Sequence, residues 1–139
     1  MTYTPNQEVL DKYADVLVNF ALNNCKGIKK GEVISLEVPE CAKPLLISLQ
    51  KAVLKSQGHY ITDYLPEDTS RYFFELASEH QLNFFPEKYL KGKVDQIDHS
   101  IAILSTTNPK ELDGISPEKI MKKSKTNKPY KEWRYRDSR

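Results

Sequence analysis

The 139-residue chain predicts a small three-layer α/β domain, with a mainly parallel sheet of at least three strands flanked by helices. Three observations predict it. Short apolar, β-branched runs alternate with segments of helical periodicity along the chain. Strands separated by helices pair in parallel through right-handed crossovers. A chain of 16.1 kDa, 39% hydrophobic and 29% charged, has room for one modest core and suits a globular protein.

Thr4, Pro5 and Gln7 read as a helix start, with Thr4 as cap, Pro5 in the first turn and Gln7 closing a capping box. Val9, Leu10, Tyr13, Leu17, Phe20 and Ala21 follow at helical spacing, and Gly27 stands where a left-handed stop is wanted. After a Lys29, Lys30, Gly31 turn, Val33 to Val38 reads as a buried strand closed by Pro39. Leu45, Leu46, Leu49, Ala52 and Val53 then share a helical face that ends at Gln57 and Gly58.

His59 to Tyr64 is strand-like, and Pro66 with Asp68 starts a third helix that carries Tyr72, Phe73, Leu76 and Ala77 inward. From Glu79 to Asp95 the pattern is irregular, broken at Pro86, with a short helical turn at Glu87 to Leu90. Ile101 to Leu104 is a third buried strand preceded by the polar Asp98 and His99. Ser116 caps and Pro117 opens a last helix, which Pro129 breaks. The organisation expected is an α/β domain over 1–118 followed by a basic helical extension over 119–139. Three strands make a small sheet, completed by a missed strand, a second copy of the chain or further sequence.

Several chemistries lack their residues. No apolar run approaches the roughly 18 residues of a spanning helix, and Met1 to Gln7 lacks a secretory layout, so no membrane role and a cytoplasmic location are expected. Cys25 and Cys41 fit neither a zinc knuckle nor a redox pair and read as buried free thiols. The glycines never approach a nucleotide-binding spacing. Asp95, Asp98 and His99 form one local metal-ligand cluster, for which ordinary loop chemistry is the favoured reading. No serine or cysteine has the flanking pattern of a nucleophile.

Charge and aromatic content are uneven. Residues 1–118 hold 12 Lys and Arg against 17 Asp and Glu, whereas residues 119–139 hold 9 against 2, so the body carries −5 and the tail +7. Tyr60, Tyr64, Tyr72, Phe73, Phe74, Phe84, Phe85 and Tyr89 crowd into thirty positions. A helix cannot bury three successive rings on one face, so some are expected to stay exposed and mark a contact with another protein surface, with a plain core under an irregular loop as the equal alternative. The tail interleaves its lysines and arginines with Tyr130, Trp133 and Tyr135. Basic and aromatic residues together suit single-stranded nucleic acid, but no nucleic-acid module precedes them and the acidic body repels phosphate. Docking of the tail on a protein segment is the preferred reading. The candidate protein-contact surface is therefore Phe74, Phe84, Phe85, Tyr89, Tyr130, Trp133 and Tyr135.

The order of landmarks resembles the amino-terminal domain of metal-dependent aminopeptidases of the aminopeptidase T and aminopeptidase S type. The similarity covers Lys12 to Val18 on the first helix, the Gly31-led strand to Pro39, and the second helix ending at Gly58. It resumes at Asn108, Pro109, Lys110, Glu111, Leu112, Asp113, Gly114, Ile115, Ser116, Pro117, Glu118, Lys119 and Ile120, where the family has a similar segment leading into a basic helix. The resemblance implies a non-catalytic portion that walls a substrate cavity and contributes to a homodimer. It implies a divalent metal pair, zinc, cobalt or similar, held by a carboxyl-terminal catalytic domain, which is the expected partner. None of the family's metal-binding motifs falls within these residues, so the chain alone is expected to be inactive. The competing reading is a stand-alone α/β interaction or regulatory domain, with nucleic-acid binding through the tail behind it.

Overall fold

A computed structural model describes residues 5–23, 25–104 and 110–137, with residues 135–137 described in their backbone alone. The chain forms two compact units, one of Met1–Leu65 with Ile97–Ser105 and the other of Pro66–Gln96 with Thr106–Arg139. The first holds the sheet. The second is helical.

In the first unit, helix α1 (Gln7–Val16) begins at Asn6, whose side chain accepts the Val9 amide N–H at 2.9 Å. The cap is therefore Asn6; Thr4 lies outside the described residues. The buried stripe also differs from the expected one. Val9, Tyr13, Phe20 and Ala21 are exposed, and the side chains that pack are Leu10, Ala14 and Val18, spaced four apart. Spacing of four follows one helix face, and the small Ala14 lets the backbone approach its neighbour closely. The helix widens into a π turn (Leu17–Ala21) and ends at Leu22 in extended backbone. Gly27 is thus no terminal stop. At φ +78° its amide bonds back to the Leu22 carbonyl, and a Cβ there would lie 2.3 Å from the Asn19 carbonyl oxygen.

Strand β1 (Val33–Pro39) is the centre of a three-stranded parallel sheet of order β2-β1-β3. Strand β2 (His59–Leu65) pairs with it from Val33 opposite His59 to Pro39 opposite Leu65. Strand β3 (His99–Ala102) pairs from Ile34 opposite His99 to Glu37 opposite Ala102. The expected strand at Ile101 to Leu104 is displaced by two residues: Ile103 still donates to the Glu37 carbonyl, but Leu104 is exposed. Parallel pairing recruits His99 and Ser100, whose polar side chains obscured the strand. The α/β class and the parallel sheet stand as expected.

Helix α2 (Lys43–Lys55) follows a single 3-10 turn over Glu40–Ala42 and is the crossover between β1 and β2. It closes in a Schellman arrangement. Gly58 donates to the Val53 carbonyl at 3.0 Å and Gln57 to Leu54 at 3.1 Å, with Gln57 in the left-handed conformation. The core joins Ala14 and Val18 to Ile34, Leu36, Val38, Leu46, Leu49, Val53 and Ile101. Ile34, Leu36 and Val38 alternate along β1 and share this core with residues of α1 and α2. Cys25 and Cys41 are exposed, which corrects the expectation of buried thiols. Cys25 occupies a left-handed turn at φ +68° and Cys41 the 3-10 turn, both outside the packed faces.

The second unit is built from α3 (Ser70–Leu76), α4 (Glu79–Leu82), α5 (Glu87–Gln96), α6 (Pro117–Thr126) and α7 (Lys128–Asp137). The region expected to be irregular is thus helical. Ser78 and Gln81 form a reciprocal capping box at α4, and Leu90 and Val94 sit four apart in α5, where Val94 is buried. Helix α6 ends at Asn127 as Pro129 requires, yet Pro129 also falls in the first turn of α7, where its missing N–H costs nothing.

Candidate functional site

The aromatic side chains gather in the second unit. Tyr72, Phe73, Leu76, Ala77, His80, Gln81 and Phe84 line an open groove of about 730 Å³. Expected inward on α3, Tyr72 is 64% exposed and Leu76 80%, while Ala77 alone of the four is buried. Seven residues make barely two turns, so the apolar positions of α3 span too wide an arc to bury together. The groove thereby gains three side chains, Tyr72, Phe73 and Leu76, that sequence reasoning had assigned to the core.

The residues nominated as a contact surface divide. Phe84 lines the groove and is 63% exposed, and Tyr89 on α5 is also exposed. Phe74 is half-buried, edge-on to Phe73 at 5.3 Å between ring centroids. Phe85 and Trp133 are half-buried against each other at 5.6 Å, and Lys91 lies 5.5 Å from the Trp133 ring centroid. Tyr130 is half-buried beneath Arg134, and the side chain of Tyr135 lies outside the described residues. Within the nominated set, the structure pairs Phe85 with Trp133.

The basic helix α6 docks within its own unit. Lys119 Nζ donates to the Phe74 carbonyl at 3.0 Å and Lys123 Nζ to the Phe84 carbonyl at 3.2 Å. Lys122 pairs with Glu79, whose carboxyl is held below its ordinary pKa by that hydrogen bond and the accompanying positive charge. Lys123 also lies 5.3 Å from the Phe73 ring centroid. The turn before α6 is held by Arg71, which donates to the carbonyls of Glu111 at 2.9 Å and Asp113 at 2.7 Å.

The first unit carries two polar clusters. Between α1 and α2, the buried Ser48 Oγ donates to Asp11 Oδ1 at 2.6 Å, Gln7 Nε2 donates to Asp11 at 3.2 Å, and Lys51 Nζ lies 3.3 Å from Asp11 Oδ2. The Ser48 hydrogen bond, then that of Gln7, then Lys51 hold the Asp11 carboxyl below its usual range against the opposing effect of desolvation. At the amino ends of the strands, Asp98 Oδ2 accepts the Val33 N–H at 2.8 Å and His99 Nε2 lies 3.0 Å from Glu32 Oε2. Asp95 is on α5. Asp98 bonds to the first residue of β1, and His99 opens β3.

Among the described residues no three His, Cys, Asp or Glu side chains converge on a site that could hold a metal ion. Glu111 Oε1 is buried without a hydrogen-bond partner, but one carboxylate oxygen is not a coordination sphere. The described residues therefore do not fit a metal, and what they offer is a surface.

Fold and surface together define a small α/β protein with a helical, aromatic-rich unit and no group of three metal-ligating side chains among its described residues. The chain belongs to the thermophilic metalloprotease (M29) family, whose profile matches residues 6–138. The solved structure of wild-type AmpT from Thermus thermophilus is similar at a TM-score of 0.77 and 20% identity, over 94% of this chain and 33% of that one. At that identity the likeness is one of fold, and the chain spans about a third of that neighbour's length. No curated protein matches the chain. Membership of a metalloprotease family makes a metal the expected cofactor of the full-length enzyme.

Proposed function

We propose that this chain is the amino-terminal, non-catalytic portion of a metal-dependent aminopeptidase that removes amino-terminal residues from peptides. One observation carries the reading: the family match runs along nearly the whole chain, yet the chain corresponds to a third of a solved structure of the same fold. In this reading the metal pair, zinc, cobalt or similar, is bound by a separate catalytic portion. Residues 1–118 act as the α/β domain and 119–139 as its basic extension. They help to wall the substrate cavity and support a homodimer in the cytoplasm. The contact surface of Phe74, Phe84, Phe85, Tyr89, Tyr130, Trp133 and Tyr135 faces protein, not nucleic acid, since Lys119, Lys122 and Lys123 are engaged within the chain. No described helix is long and apolar enough to cross a membrane.

The test is direct. Purified residues 1–139, supplied with zinc, cobalt or manganese, release no amino acid from a chromogenic aminoacyl amide. Metal-dependent release above the blank would end the proposal. The exposed groove of Tyr72, Leu76 and Phe84 favours a second reading, a stand-alone interaction module. The reading frame separates the two: continuation past Arg139 into sequence dense in Glu, His and Asp supports the peptidase, and a stop codon supports the module.

A further inference from the structure

Helices α3 and α4 hold seven and four residues, far below the length at which a helix persists in water by itself. Neither is closed at its carboxyl end by a residue in the left-handed conformation, because Ala77 is extended and Asn83 right-handed. A carbonyl in the last turn of α3 and one just beyond α4 instead receive ammonium groups from residues 45 and 39 positions away. Lys119 takes the Phe74 carbonyl in the last turn of α3, and Lys123 takes the Phe84 carbonyl just beyond α4. Lys122, between them, reaches Glu79 in the first turn of α4. Spacing of three and four places all three on one face of α6.

We propose that α6 is a strap operated by positive charge: it keeps α3 and α4 helical by donating lysine ammonium groups to the Phe74 carbonyl in the last turn of α3 and to the Phe84 carbonyl that follows α4. The Lys119 contact places a cation where the α3 dipole is negative and gives a charged donor to a carbonyl that the helix leaves unpaired. The segment Lys110–Pro117 sets the strap in register, with Arg71 on α3 gripping the carbonyls of Glu111 and Asp113. That gives the tail's +7 charge an internal purpose. Since Lys123 also covers one side of Phe73 in the groove wall, loss of the strap opens the groove. The strap is independent of the catalytic reading, because every contact it uses lies inside one unit.

Hydrogen exchange on the full 139-residue chain tests it. In the double variant Lys119→Gln, Lys123→Gln, amides of residues 70–84 exchange about tenfold faster or more, while those of β1 keep their rates. The matching variant Lys119→Arg, Lys123→Arg, which retains charge and donors, stays within about threefold of the wild type. Unchanged exchange over 70–84 in the Gln variant overturns the proposal. So does equal loss in the Arg variant, which would assign the effect to side-chain packing. Loss of β1 protection in the Gln variant also overturns it, since the strap is then not local.

Discussion

Gly27 shows how much one position can decide. Its φ of +78° is a region that residues with a side chain occupy at a cost, and the Asn19 carbonyl stands where a Cβ would go. Gly27→Ala is expected to lower unfolding free energy by about 2 kcal/mol or more, read from urea titration. Asp11 supplies a pH dependence. Its folded pKa lies below the ordinary aspartate value, so its contribution is fully present above that value and is lost as pH falls through the folded pKa. Asp11→Asn is therefore expected to flatten the acid limb of stability below about pH 4 while changing its slope little above pH 6. Ser48→Ala, which removes the largest cause of the shift, raises the Asp11 pKa, measurable by carboxyl NMR titration.

At the scale of elements, the capping box at α4 is the feature to test. Ser78→Ala removes the acceptor for the Gln81 amide and is expected to cost about 1 kcal/mol, with faster amide exchange confined to residues 78–84. The same helix shows where sequence reasoning stopped. Ser78 and Gln81 carry the spacing of a capping box, but only four helical residues follow, too few for a periodicity to register. Helix α5 was obscured by Gly92 at its middle and by a face with Val94 as its one buried residue. Strand β1 and helix α2 were legible because a β-branched run and a four-residue apolar spacing coincide with their packed faces, whereas β2 contributes no buried residue to that core. On α1 the same spacing misled, since Val9 and Tyr13 continue it one position off the stripe centred on Ala14.

For the whole molecule, binding linkage gives a test independent of catalysis. A ligand that binds the folded state at a hundred times its dissociation constant stabilises by about 2.7 kcal/mol. With no metal-ligand cluster among the described residues, millimolar zinc or manganese is expected to leave the melting temperature of residues 1–139 within about 1 °C. A pH-dependent rise abolished by Asp98→Ala would assign a metal to the strand ends instead. How the candidate surface could be read from sequence follows from the same facts. The crowding of aromatic residues was visible in composition, but which rings face outward depends on how short α3 is and on which carbonyls α6 reaches across forty positions. Neither is encoded locally.

The strand order β2-β1-β3 also bears on how the chain is made. The middle strand leaves the ribosome before either flank, and helix α2 returns β2 to it promptly, but β3 arrives only after the whole 66–96 excursion has been translated. Until then the backbone of Ile34 to Glu37 offers raw amides and carbonyls along one side, a template for stray pairing with neighbouring polypeptides. Released chains that end before His99 should therefore be the most dependent on chaperones, and extension through Ala102 should relieve that dependence abruptly.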